Sequence, residues 1–232
     1  MLQHLRAGAG GLVLAALTFF LNPADAAPAD ESPWQLRHVE PETDTRIYLR
    51  SRGAAVPAFR GVTRLQARLS TLVALLLDTE QMPEWVFRVR RVRPIEAPDP
   101  MHGVTQVITG MPWPLQDREA IVAWTLTQDA MTAVVTMDGR SAPEKLAPDA
   151  QFVRMPAFES QWRLTPLPGG LVEVQFTGLG DPGGNLAVPP LSYFMHGAVW
   201  EAPLATLNGM RRMSERPVFR DATLAFVREP AP

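Results

Sequence analysis

The residues best placed to do chemistry are Asp117, Arg118 and Glu119, which follow the run Pro112-Trp113-Pro114 inside MPWPLQDREAIVAWTL (111–126). Two prolines around a tryptophan can neither donate into a strand ladder nor continue a helix, so they set a rigid, extended corner. Three ionisable side chains then enter a segment of β-branched, apolar and aromatic residues with the character of a half-buried strand, where charge needs a partner. Two roles fit them. The triplet forms a structural ion pair at a sheet edge, or Arg118 faces a cavity and offers a charge-assisted donor to a ligand hydroxyl, carboxylate or phosphate. Strand alternation separates the three: if Ala120, Val122, Trp124 and Leu126 face inward, Arg118 goes with them, and Asp117, Glu119, Ile121 and Ala123 face the other way.

Little else in the chain has reactive spacing. His38, His102 and His196 are scattered, with no His-x-x-x-His or His/Asp cluster, so neither a metal site nor a cofactor is expected. There is no Gly-x-Ser-x-Gly elbow and no glycine-rich phosphate loop ahead of a helix, and no residue is assigned a catalytic role. The absence of cysteine removes disulfides, thiol catalysis and thiolate metal sites. With 46% apolar and 20% charged residues the chain reads as a soluble globular protein, and its formal charge of −2 leaves no footprint for nucleic acid. The 232 residues suit one domain with a substantial core.

The first residues carry an address. Arg6 precedes the apolar run GLVLAALTFFL (11–21), and the following NPADA ends in an Ala-x-Ala pattern at Ala26. This is the layout of a secretory signal peptide over 1–26, too short for the roughly 20 apolar residues of a spanning helix. The mature protein is expected to be periplasmic or secreted, with a domain over 27–216 and a tail over 217–232 that adds a strand, a helix or a partner-binding segment.

Several elements must position the charged strand. Trp34 to Glu40 reads as one or two helical turns before Pro41, Thr45 to Arg50 as a strand and Phe59 to Leu65 as another. Leu69, Leu72, Val73, Leu76 and Leu77 fall at helical spacing. Pro83 starts a short turn carrying Trp85 and Phe87, which form either a mobile rim or a cap. Six strand segments then follow: 89–95, 104–109, 120–127, 132–137, 151–164 and 171–176. Turns at Gln128-Asp129-Ala130 and Pro168-Gly169-Gly170 make hairpins, and Pro156 marks a bulge or an edge in the fifth. Pro189-Pro190 starts a long helix over about 191–213 that is apolar around most of its first half. A curved antiparallel sheet gripping one helix leaves an interior cavity.

Taken together, Trp34-Gln35-Leu36, the strand Arg46 to Arg50, Phe59-Arg60-Gly61, LVALLLDTEQMPEW (72–85), PWPLQDRE (112–119), Trp162-Arg163-Leu164 and Asp181-Pro182-Gly183-Gly184 resemble the START domain (steroidogenic acute regulatory protein-related lipid transfer) in a bacterial exported form. The pieces occur in the family's order and span about 34–213, with Trp34 to Leu36 matching the opening helix. The resemblance implies an α+β helix-grip fold, in which a curved antiparallel sheet wraps a long C-terminal helix around a hydrophobic tunnel. It also implies a non-enzymatic monomer holding a lipid or sterol-like apolar ligand, with transient membrane contact and no nucleic acid. The alternative is an enzyme of cyclase or hydrolase type on the same fold, using Arg118 with Asp117, Glu119 or His196. Arg118, Trp124, Met111, Met195, Val199 and Trp85 are the candidate ligand-binding residues.

Overall fold

In the computed structural model of the protein the described residues are 32–51, 56–184 and 191–230, with the backbone alone described over 191–198. The expected signal peptide lies outside them, as do most of the leader and the side chains of Met195 and His196. The elements are β1 (Gln35–Glu40), β2 (Thr45–Arg50), β3 (Ala58–Gln66), α1 (Leu69–Leu77), β4 (Val89–Asp99), β5 (His102–Thr109), β6 (Arg118–Gln128), β7 (Val135–Ser141), β8 (Val153–Arg154), β9 (Ala157–Leu167), β10 (Leu171–Asp181), α2 (Leu191–Ser214) and α3 (Pro217–Arg220). They build the expected helix-grip fold.

The ten strands make one curved, open sheet in the order β1-β2-β3-β10-β9-β7-β6-β5-β4, with β8 beside β6. Every pairing is antiparallel except that of β8 with β6. The hairpin turns at 128–134 and 168–170 carry β6 into β7 and β9 into β10. The outer strand β4 holds Arg90, Arg91, Arg93, Pro94 and Pro98, residues that blunt an open edge against further strand pairing.

Two expectations are corrected. Trp34 to Glu40 is not helical: Gln35–Glu40 is the edge strand β1, paired with β2. A bulge between Leu36 and His38 shifts its alternation, leaving Leu36 and Val39 exposed while the His38 ring packs at a tilt against Trp200 of α2. The broken period hides the strand. The long segment 151–164 is also not one strand. Val153–Arg154 pairs with Arg118–Glu119 of β6, and the chain then leaves through Pro156, which has no N–H to give, before β9 starts at Ala157.

The inner face of the sheet supplies Leu65, Leu126, Val135, Leu164 and Val174, all buried, and α1 and α2 cover them with Leu69, Leu72, Leu207, Met210 and Met213. A small second cluster of Val104, Ile121 and Ala142 lies on the outer face, packed against Ile95, Ala123 and Leu146. The tail joins the main core through Phe219 and Val227. Its Gln128–Arg228 pairing runs both ways: the Arg228 N–H donates to Gln128 Oε1 at 2.8 Å, and Gln128 Nε2 donates to the Arg228 carbonyl at 2.7 Å.

The tail also finishes α1. That helix has no side-chain cap of its own, and the Glu229 carboxylate accepts the Leu69 and Ser70 N–H groups, each at 2.9 Å. A carboxylate on these free amides satisfies two orphan donors and faces the positive end of the helix dipole. Glu229→Ala should therefore lower unfolding free energy by about 1 kcal/mol, the usual worth of a cap. Urea titration of both proteins measures it, and coincident midpoints would remove the capping role.

Candidate ligand-binding site

The three charges of the opening strand part company as alternation requires. Glu119 is fully buried on the outer face, where it accepts Arg154 Nε at 2.7 Å and Gln106 Nε2 at 2.5 Å. Asp117, at the strand mouth, accepts the Met111 N–H at 2.9 Å and pairs with Arg90 Nε at 3.1 Å. Arg118 turns inward and is only 5% exposed. Its Nε donates to the Pro182 carbonyl at 2.9 Å, Nη1 to the Gln116 carbonyl at 2.5 Å and Nη2 to the Gly183 carbonyl at 3.5 Å. Burial pulls this guanidinium below its ordinary pKa, and the Asp117 charge works against that pull. The charges thus do not form one ion pair among themselves.

The turn that Arg118 grips leads toward α2. Gly183 and Gly184 both take positive φ, 64° and 73°, a conformation that glycine adopts without strain. A Cβ on Gly183 would also stand 3.0 Å from the Arg154 carbonyl. Sequence alone marks this Asp-Pro-Gly-Gly stretch as a turn; its service as the acceptor of an arginine from β6 depends on the tertiary fold.

Arg118 borders a cavity of about 220 Å³ between the sheet and α2. Met111 and Val199 line it with Arg118, so three of the six expected site residues meet there. Phe59, Phe87, Arg88 and Phe158 belong to the same wall. Phe87 is fixed by its N–H, which donates to Thr206 Oγ1 on α2 at 3.1 Å. Arg88 sits at φ 55°, in the left-handed region that a residue other than glycine enters only at a cost. Phe59 was discoverable from the β3 alternation that sets it beside Gly61 on the inner face. Phe87 and Arg88 follow a 3-10 turn, where no period signals direction.

Trp85 and Trp124 lie elsewhere. Trp85 is a core residue, 3% exposed, neither rim nor cap. Its ring meets Trp162 edge-on at 5.9 Å, Trp162 stacks on Phe176 at 4.0 Å, and Phe176 meets Phe59 edge-on at 4.9 Å. Trp124 faces inward as alternation requires, but it lies across Gly103 and against the main core. Met195 falls among the side chains outside the described residues. Among the described residues no group of three His, Asp or Glu gathers in metal-binding geometry.

Comparison with known proteins agrees with this architecture. No protein-family model matches the chain. An uncharacterised protein of Pseudomonas aeruginosa is 27% identical over 205 residues, covering 88% of this chain and 96% of its own length. Among solved structures, a STAR-related lipid transfer protein (fragment 25–204) from Xanthomonas axonopodis superposes with a TM-score of 0.70 at 25% identity, over 80% of this chain and all of that one. Human STARD10 superposes with a TM-score of 0.67 at 16% identity, over 81% of this chain and 76% of that one, which is a likeness of fold. Superposition over about four fifths of its length on proteins of that class makes this chain a START-like domain by its fold.

Proposed function

We propose that this protein is an exported, monomeric carrier or sensor that holds one lipid or other apolar small molecule in the cavity beneath α2. The observation that carries the reading is the lining of that cavity: among the described residues apolar and aromatic side chains surround it, two arginines supply the charges, and no carboxylate or imidazole is present. Burying apolar ligand surface there contributes roughly 25 cal/mol per Å² removed from water. Acid–base chemistry would need a proton donor or acceptor within hydrogen-bond reach of a bound substrate. Asp117 and Glu119 are engaged by Arg90 and Arg154 instead, which favours carriage over catalysis. Export is supported by the signal-peptide pattern of residues 1–26, and the lipid class by the names of the Xanthomonas and human neighbours.

Transient membrane contact fits the corner that precedes β6. Trp113 is 92% exposed, and it stands two residues from Met111 in the cavity wall. An exposed indole suits the bilayer interface, where its apolar body and polar N–H are both accommodated. Incubating the full chain with vesicles of bacterial membrane lipid, re-isolating it and recording native mass spectra tests the whole reading. One unmodified ligand per protein is expected, loaded several-fold more slowly by Trp113→Ala but to the same final occupancy. A chemically altered product would favour the enzyme, and an empty protein would overturn the carrier.

A further inference from the structure

The cavity is small, and its size has a cause in the sequence. Phe59, Phe176, Trp162 and Trp85 form a continuous ladder of rings running from the cavity wall into the core. Beyond Phe59 these rings belong to the main hydrophobic core. The remaining 220 Å³ lies below the roughly 300–1,000 Å³ of pockets for drug-sized ligands. At about 30 Å³ for each water-sized or methylene-sized group, it holds on the order of seven such groups. A diacyl lipid has several times that many.

Among the described residues the charges at the cavity are of one sign. Arg118 is buried, and its three hydrogen bonds are all to backbone carbonyls, with no carboxylate in ion-pair contact among the described residues. A guanidinium carries five N–H donors, so at least two are left after those three bonds. The Gly183 contact is long at 3.5 Å and is readily exchanged for a better acceptor. Arg88 adds a second guanidinium to the same wall. In an apolar enclosure the Arg118 cation, held by carbonyls alone, is costly, and an anionic ligand group offsets that cost through charge-assisted hydrogen bonds.

We infer that the cavity selects a short, single-chain anionic amphiphile, whose carboxylate or phosphate monoester meets Arg118 and Arg88 while its chain ends against the Phe59–Phe176 rings. This rests on the cavity being a ligand site, as proposed above, and narrows it to a ligand class. Arg118 also fastens the 182–183 turn, so its replacement can unfold the protein, and the decisive comparison uses the unaltered chain.

Isothermal titration with octanoate, decanoate, dodecanoate, palmitate, decyl phosphate, decanol and decyltrimethylammonium, each below its micellar concentration, provides that comparison. Decanoate or decyl phosphate should bind at least tenfold more tightly than decanol, and the tighter of the two names the head group. Decyltrimethylammonium should bind most weakly, and acid affinity should peak at about eight carbons and have fallen by palmitate. Arg88→Asn, which keeps a residue tolerant of positive φ, should lose several-fold of the anion preference. Phe59→Ala should move the optimum to longer acids. Equal binding of decanol and decanoate overturns the anionic class, and palmitate binding most tightly overturns the ring stop. If vesicle-loaded protein retains a neutral lipid while the panel shows no preference for anions, this inference fails and the carrier reading stands. If the protein is empty after vesicle loading and no panel member binds, both fail.

Discussion

Replacing Glu119 with alanine should cost about 3–5 kcal/mol of unfolding free energy, the range for removing one partner of a buried ion pair. The pair is well enclosed: the Glu119 side chain is 0% exposed and that of Arg154 15%. Both carboxylate oxygens are in use, one on Gln106 Nε2 and one on Arg154 Nε. Arg154 in turn donates to the carbonyls of Pro143, Leu146 and Ala147, and the Met155 N–H donates to the Glu119 carbonyl at 2.8 Å. Glu119 is therefore the point at which segment 142–155 is fastened to the outer face over Val104 and Ile121. Alanine would strand the buried Gln106 amide and leave a guanidinium held by carbonyls alone. Glu119→Gln retains shape and acceptor capacity on one oxygen, and should cost about 1.5–3 kcal/mol, the worth of hydrogen bonds to a charged group. Urea unfolding of the two variants gives the ranking. An alanine variant within 1 kcal/mol of the parent would contradict the fastening role.

That residue also illustrates what a sequence of this kind discloses. Period-two alternation gives the direction of Arg118, Glu119 and Ile121 because β6 is regular and each of its faces meets a covering layer. Both the inward arginine and the outward glutamate were legible. Their partners were not, since Arg154, Pro182 and Gln106 reach them through pairings between residues 13 to 64 positions apart. The Pro-Trp-Pro corner, the two hairpins and the long C-terminal helix were equally plain, because proline, glycine and helical spacing act locally. Local rules failed where a bulge reset the period in β1 and where Pro156 split one apparent strand into two. The tail left a strand, a helix and a partner segment all open. Its capping of α1 joins residues 160 and 159 positions apart, which no local signal encodes. Of the site, the fold supplied what the pattern could not: Phe87 and Arg88 enter the wall from a 3-10 turn, and Trp85, Trp162 and Phe176 join Phe59 in a ladder of rings.

Gly209 is the position where a small change should most disturb the grip itself. It lies within α2, where replacing glycine by alanine ordinarily stabilises a helix by about 0.8–1.0 kcal/mol. Here the sign should reverse. A Cβ on Gly209 would collide with the Trp85 carbonyl oxygen and stand 2.9 Å from its Cα and 3.0 Å from its carbonyl carbon. These are backbone atoms, and the neighbouring 3-10 turn cannot step aside freely, because the Phe87 N–H is bonded to Thr206 Oγ1 one turn away on the same helix. The buried Leu207, Met210 and Met213 fix the helix on its other contacts. Overpacking in such a site costs roughly 1–3 kcal/mol, which exceeds the propensity gain, so Gly209→Ala should be net destabilising. Gly209→Val, bulkier and β-branched, should lose more stability still and lift α2 from Trp85. Because Val199 and Ala202 of the same helix line the cavity with Phe87, both variants should also weaken ligand retention in the order valine below alanine below parent. Thermal unfolding, paired with retention of decanoate after gel filtration, reads the two effects separately. An alanine variant more stable than the parent would mean that propensity prevails and that the close approach of helix to turn is not what seats α2.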